Sequence, residues 1–266
     1  MRFSKLLVSA AALGLLASVA PAEPIRTVFT LENRLPEQLG VELGVKGIFA
    51  GYDAEYSTDD GTMYQVGPEA RFGITDRLAL NAWVPVAGWD YSHEDDKSGI
   101  GDVHTGLQFL FFEDIFDYAW IIPYVDVRWA TGDEDDRLGT GTTGAQFGIS
   151  VGTTTYDCLH WGADVSYGIN NAINFSDDDV AMGAVSLIWD LNEMPRVYGD
   201  MLSSLFAEVQ LRDDAPKKDS DCWVRVHGGL AFRANDLFTI SGFFGTTTDD
   251  AMDYYGGGKA TFSLGR

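Results

Sequence analysis

The chain has 266 residues and carries 18 basic against 40 acidic side chains, a formal net charge of −22 at pH 7. This balance argues against a nucleic-acid-binding protein, since phosphate backbones are bound mainly through Lys and Arg. It favours cations over anions as partners. A hydrophobic content of 45% argues against disorder, and the length suits one all-β domain.

The N-terminus has the pattern of a secretory signal peptide. Arg2 and Lys5 give a positive start, residues 6–20 are apolar and uncharged, and residues 20–22 (Ala-Pro-Ala) form a small-x-small cleavage site. An uncleaved membrane anchor is the alternative, but a spanning helix needs about 20 apolar residues. We expect a signal peptide over residues 1–22 and a mature domain over residues 23–266.

Twelve segments of about ten residues follow, and each alternates between two kinds of side chain. In the second segment, Val66 and Phe72 fall on one face, and Glu69 and Arg71 fall on the other. This period predicts strands with two different environments, and a tilted strand of about 9–11 residues spans a membrane. The segments are approximately 39–52, 62–74, 78–86, 103–111, 119–129, 143–151, 159–169, 180–190, 202–212, 222–233, 237–247 and 254–264.

The connections between the segments alternate between two kinds. The short kind includes residues 75–77, 113–117, 153–157 and 234–236, whereas the long kind is rich in Asp. Outer-membrane barrels have short periplasmic turns and longer extracellular loops. We therefore predict an all-β fold, a transmembrane antiparallel up-and-down β-barrel of about 12 strands in the bacterial outer membrane. The acidic loops would lie outside the cell.

Two alternatives stay open. A soluble secreted β-domain also alternates apolar and polar faces, although its loops have no reason to sort into two kinds. A mean hydropathy of −0.06 fits the barrel, because lipid-facing and lumen-facing residues cancel. A structural or cation-binding envelope barrel without transport is the other alternative.

Short Gly-rich motifs lie in the region of residues 99–151. Gly99-Ile100-Gly101-Asp102 is followed by Ala130-Thr131-Gly132-Asp133 and Leu138-Gly139-Thr140-Gly141. The chain resembles here the outer-membrane transporter family named for the meta-pathway of phenol degradation, in which Pro usually stands at the position of Ala130. The resemblance implies an outer-membrane location and transport of small, hydrophobic or aromatic solutes.

Ionisable residues on the polar faces of the segments are the candidate functional residues. A charge is costly toward lipid but can be hydrated or paired toward the lumen. Such residues form either a merely ion-paired interior or a selectivity constriction, for which Arg71, Asp126, Arg128 and Arg225 are the sharpest set. The lumen candidates are Glu69, Arg71, His104, Asp126, Arg128, Asp164, Arg225 and His227.

The acidic loops offer weak candidates for binding divalent cations, because hard cations prefer carboxylate oxygens. No EF-hand spacing is present, so solvated loops are the simpler interpretation. The candidates are Asp133, Asp135, Asp136, Asp177, Asp178 and Asp179. The expected partners are outer-membrane lipid and small solutes, with divalent cations at the outer loops as a weaker hypothesis, and no cofactor is signalled.

Catalysis is not expected from the sequence. No Gly-x-Ser-x-Gly motif is present, and His104 and its neighbour Thr105 should point to opposite faces of one strand. The cysteines also bear on the topology. Cys158 begins an upward strand and Cys222 a downward strand, so we expect both to be free and to lie at opposite ends of the barrel.

Overall fold

The computed structural model describes residues 35–52, 61–91, 96–115, 119–155, 158–170, 179–191, 202–213, 222–235, 237–248 and 252–264. In this part of the chain there are fifteen strands: β1 Val41–Tyr52, β2 Gly61–Thr75, β3 Leu78–Trp83, β4 Val86–Tyr91, β5 Lys97–Ile100, β6 Val103–Phe109, β7 Phe112–Ile115, β8 Ala119–Trp129, β9 Gly144–Thr155, β10 Leu159–Ile169, β11 Val180–Asp190, β12 Leu202–Arg212, β13 Trp223–Asn235, β14 Phe238–Thr247 and β15 Met252–Leu264. The predicted signal peptide lies outside the described residues.

Antiparallel pairing joins these strands into one closed barrel. β1 pairs with β15 on one side and with β2 on the other, which closes the sheet on itself. β3 and β4 form one barrel strand because both pair with β2. The next barrel strand consists of β5, β6 and β7. β5 pairs with β4, β6 pairs with β3 and β8, and β7 pairs with β8. The described residues thus make twelve barrel strands, and the predicted all-β class and strand number are confirmed.

The two predicted segments with the weakest alternation, 180–190 and 202–212, are full strands. β11 and β12 pair over nine positions, from Met182 opposite Arg212 to Asp190 opposite Ser204. Their weak sequence signal reflects small side chains on the inner face, such as Ala184 and Ser186, which alternate less visibly with the apolar outer face.

The barrel has two rims. We call the end where β1 finishes at Tyr52 and β8 finishes at Trp129 the loop rim, and the end where β2 finishes at Thr75 the turn rim. The Asp-rich connections follow the strands that end at the loop rim. Cys158 and Cys222 precede strands that start at opposite rims, and both are free, as predicted.

The distribution of side chains is the reverse of that in a soluble protein. On β10, Val165 is 70% exposed, whereas its neighbour Asp164 is 5% exposed. On β11, Val185 is exposed and Ser186 is buried. Soluble domains bury their apolar side chains; here they cover the outside, as the lipid-facing surface of a membrane barrel requires. Trp129 and Trp161 are exposed near opposite rims, where interfacial aromatic girdles lie.

Two barrel strands continue beyond their predicted ends. The third resumes as β4 after a break at Pro85, whose missing N–H cannot join the ladder. The fourth begins earlier, with β5. Trp83 pairs with His104 and Val86 pairs with Ile100. The third barrel strand therefore advances three residues where the fourth advances four, so the fourth strand has one extra residue and a β-bulge at residues 101–102. A bulge redirects side chains, and both Gly101 and Asp102 are buried.

Within the described residues, no helix is both long enough and apolar enough to cross a bilayer.

Candidate functional site

The lumen is lined by polar and charged side chains that the barrel shields from solvent. The eight residues that the sequence singled out all lie on the inward face, in five different barrel strands. Most of them contact polar groups of neighbouring strands. These contacts form four clusters, which are described in turn.

The first cluster lies on β1, β2 and β15. Arg71 donates to Glu42 Oε2 from Nη1 at 3.1 Å and to Gln108 Oε1 from Nη2 at 2.8 Å. Lys259 reaches across β1 to pair with Glu69 at 2.5 Å. On the intervening strand β1, Gly44 is opposite Glu69 and Lys46 is opposite Lys259. The cluster presents positive charge that is largely balanced by its own carboxylates.

The second cluster lies on β3, β8, β9 and β10. Asn81 donates to Asp126 Oδ1 at 2.9 Å, and the Tyr124 hydroxyl donates to Asp164 Oδ1 at 2.9 Å. Gln146 donates to the Tyr124 hydroxyl at 3.1 Å. Asp164 lies within electrostatic range of Asp126 and of Glu208 on β12. This part of the wall is therefore an acidic arc. Arg71 of the first cluster and Lys46 on β1 provide positive charge near Asp126.

The third cluster, on β12, β13 and β15, is the most deeply buried. His227 Nε2 lies 3.1 Å from Glu208 Oε2, and both side chains have no exposed surface. His227 Nδ1 lies 2.9 Å from the Tyr255 hydroxyl. The Arg225 guanidinium stacks over the rings of Trp223 and Tyr255, at 4.4 and 5.5 Å from their centroids. These large side chains narrow the lumen on this side.

The fourth cluster joins β6 and β8 near the loop rim. Arg128 Nε lies 3.7 Å from Asp102 Oδ2, and its Nη2 donates to the Asn170 carbonyl. The His104 ring packs against Trp83 at a centroid distance of 5.3 Å, and Lys46 lies 4.7 Å above the same Trp83 ring. His104 therefore contributes to packing here.

The four residues predicted to form a selectivity constriction lie in four different clusters around the barrel. Arg71 belongs to the first cluster, Asp126 to the second, Arg225 to the third and Arg128 to the fourth. The sequence analysis did not single out Glu208 and Asp102, although both are buried partners of predicted residues. Asp102 had a signal, since it ends the Gly-x-Gly-Asp motif, whereas the role of Glu208 depends on a partner from the next strand.

The acidic loops contain weaker candidates. Asp133 Oδ1 accepts hydrogen bonds from the backbone N of Asp135 and Asp136, at 3.0 and 3.3 Å, so it stabilises its own turn. Asp136 pairs with Lys97 at 2.9 Å, and Asp179 accepts from the Tyr167 hydroxyl at 2.7 Å. Within the described residues no group of three His, Cys, Asp or Glu side chains is placed to hold a metal ion. Asp177 and Asp178 lie outside those residues.

Two segments fold into the barrel rather than away from it. At the turn rim, Leu35 is buried against the inward-facing Ala79, Trp120 and Ile122, and Leu39 N donates to the carbonyl of Gly73 on β2 at 2.7 Å. At the loop rim, residues 130–143 pack against the inner wall. Both segments reduce the space in the lumen.

Solved structures with the same architecture are membrane barrels. An outer membrane channel from Pseudomonas putida F1 superposes with a TM-score of 0.62 at 10% identity, covering 91% of this chain and 100% of that one. The chain has the fold of an outer-membrane β-barrel. The NanC porin gives a TM-score of 0.54 at 9% identity, with 84% and 98% covered.

The translocator domain of the autotransporter NalP from Neisseria meningitidis gives a TM-score of 0.53 at 9% identity, with 84% of this chain and 86% of that chain covered. No protein-family model and no curated protein matches the chain. At such low identities, the likeness establishes the fold and leaves the solute open.

Proposed function

We propose that this protein is a passive pore or transporter of the bacterial outer membrane, which admits small solutes through its lumen. The observation that carries this is the combination of an apolar outer surface with a charged interior in a closed barrel. The outside is compatible only with lipid, and a polar interior lowers the barrier for solutes that are hydrated or charged.

Two arguments bear on the solute class, the first on its size and apolarity and the second on its charge. The resemblance of residues 99–151 implies small hydrophobic or aromatic compounds. The acidic arc of Asp126 and Asp164 favours small cations and neutral polar solutes over anions. The proposal includes no catalytic step. Thr105 accepts a hydrogen bond from the outward Trp129 while His104 faces inward, so these two neighbours do not form a nucleophile–base pair.

The test is single-channel conductance of the refolded mature protein in a planar bilayer under a salt gradient. We expect discrete conductance steps and a reversal potential that indicates cation preference. An Asp164→Asn variant should shift this reversal potential toward zero, because it removes a lumen carboxylate. The matched control is Val165→Ile, the neighbouring residue on the outward face, which should leave the potential unchanged.

A folded wild type that shows no conductance steps would contradict the proposal. Identical reversal potentials for the wild type and Asp164→Asn would show that Asp164 does not contribute to the cation preference. A second candidate function, a structural barrel without transport, is favoured by the tightly packed third cluster, in which Glu208 and His227 have no exposed surface. A protein that migrates as a heat-modifiable folded barrel but gives no conductance would support that alternative.

A further inference from the structure

Residues 130–143, which connect β8 to β9 at the loop rim and which we call the inner loop, fold back against the inside of the wall. Leu138 is 5% exposed and packs with the inward-facing Met63, Ala87 and Trp89. Trp89 Nε1 donates to the carbonyl oxygen of Arg137 at 2.8 Å. The inner loop therefore occupies part of the cross-section of the lumen, beside β2 and β4.

One carboxylate holds both arms of the inner loop. Asp102 Oδ1 accepts hydrogen bonds from the backbone N of Thr131 and Gly132, at 3.1 and 3.0 Å. Asp102 Oδ2 accepts from the backbone N and the hydroxyl of Thr140, at 2.9 and 2.8 Å. Hydrogen bonds to an ionised acceptor are about twice as strong as neutral ones, so this carboxylate is the strongest polar anchor of the inner loop.

Glycines allow this close approach. A Cβ atom on Gly132 would lie 2.7 Å from the Cα of Gly139, and a Cβ atom on Gly139 would lie 2.5 Å from Asp102 Oδ1. Both contacts are too short for any side chain. Gly141 has a φ of 68°, a left-handed conformation that glycine adopts without strain. The three Gly-rich motifs of the sequence thus meet at a single point.

The wall is shaped to present Asp102. Asp102 lies at the β-bulge, in phase with the inward-facing His104 of β6. Arg128 supplies a counter-charge at 3.7 Å, which a buried carboxylate requires. The Thr131 hydroxyl donates to the Gly101 carbonyl at 3.0 Å and accepts from the Val103 N at 2.9 Å. The inner loop is bound to the bulge by backbone and side chain together.

We propose that the inner loop is the fixed constriction of the lumen, and that Asp102 is the positioning residue that holds it there and so sets the largest solute that passes. Asp102 acts through the loop and touches no solute itself. The inference rests on the proposed pore function and names the element that determines its size limit.

The experiment compares the wild type with Asp102→Ala, which removes the polar anchor, and Leu138→Ser, which removes the apolar one. The matched control is Asp135→Asn, which removes an exposed carboxylate of the same loop that does not contact the wall. Heat-modifiable migration first selects the variants that fold. Two readouts follow: trypsin cleavage after Arg137 in detergent micelles, and conductance with polyethylene glycols of graded size.

We expect cleavage after Arg137 to accelerate by about tenfold or more in Asp102→Ala and Leu138→Ser, which we call the release variants, because cleavage follows the population of the detached loop. Conductance should rise by roughly twofold and larger polymers should enter, since a removed constriction widens the path. Asp135→Asn should match the wild type in both readouts. If Asp102→Ala does not fold, Leu138→Ser tests the constriction by itself.

Unchanged cleavage in folded Asp102→Ala would overturn the anchoring role of Asp102. Faster cleavage with an unchanged size limit in a conducting wild type would overturn the constriction. A wild type without conductance, together with release variants that conduct, would support the inference, because the inner loop then closes the lumen. No conductance in any variant, despite faster cleavage in the release variants, would contradict the pore function and the constriction. It would leave the anchoring role of Asp102 intact.

Discussion

The wall from β9 to β15 and the wall from β2 to β8 differ in regularity. From β9 to β15 the ladders run with a single described register shift, at the end of β13. From β2 to β8 the ladder breaks at Pro85 and bulges at residues 101–102. The two inward-folded segments, around Leu35 and in the inner loop, both pack on this second wall. The regular wall narrows the lumen with side chains alone, whereas the interrupted wall also carries two inward-folded segments of the chain.

The largest expected effect tests whether both walls face lipid. Val165→Arg on the regular wall and Val66→Arg on the interrupted wall should each cost about 2–4 kcal/mol of unfolding free energy, because both are exposed residues in the interior of their strands, where Arg would face hydrocarbon. The measurement is urea titration of the protein refolded in lipid vesicles. Ile100→Arg, at the loop rim, is the matched control and should cost about 0–1 kcal/mol.

A large cost at Val165 together with none at Val66 would break the comparison, because it would show that the interrupted wall faces something other than lipid.

The next effect concerns the packed interior of the regular wall. Glu208→Ala should lower the unfolding free energy by about 1–3 kcal/mol, since it removes the fully buried carboxylate that lies 3.1 Å from His227 Nε2. The same urea titration measures it. Glu208→Gln keeps an acceptor within reach and should recover much of the loss. Equal stability of Glu208→Ala and the wild type would mean that water enters this cluster.

A smaller effect sharpens the description of the interrupted wall. Thr140→Val keeps the shape of the side chain but removes one hydroxyl that donates to Asp102. It should weaken the attachment of the inner loop by about 0.5–1.5 kcal/mol, seen as roughly twofold to tenfold faster trypsin cleavage after Arg137. Thr142→Val, in the same loop, is the control. No change in the cleavage rate would assign the attachment to the backbone donors.

The smallest effect is expected at the rim of the interrupted wall. Lys97 and Asp136 pair at 2.9 Å, but both side chains are about two-fifths exposed. Solvent and salt screen such a pair, so Lys97→Ala should change the unfolding free energy by less than about 1 kcal/mol. A larger loss in vesicles would show that this pair anchors the inner loop together with Asp102.

The sequence predicted the barrel well because its signal is local. Alternation along β10 and β13 follows from the two-residue period of a strand, and the lipid and lumen environments impose it directly. The breaks in the third and fourth barrel strands were missed, although Pro85 gives a local reason for one of them. The β-bulge at Asp102 depends on the register between two strands, which no single segment encodes.

The candidate site shows the same limit. Alternation was sufficient to assign Arg71, Asp164 and His227 to the inward face. It could not give their partners, because Glu208 meets His227 only through the pairing of β12 with β13. The structure places the four charged residues of the predicted constriction in four different side-chain clusters on strands around the barrel, and their role in selectivity stays a prediction.

The sequence by itself therefore determined the fold class, the twelve barrel strands and the inward or outward direction of each side chain, because these depend on local periodicity and on the two solvents that the wall separates. Only the tertiary structure decided which charges pair and where the lumen narrows. Those features depend on strand register and on the path of a loop, and Asp102 fixes that path through contacts up to 38 residues away in the chain.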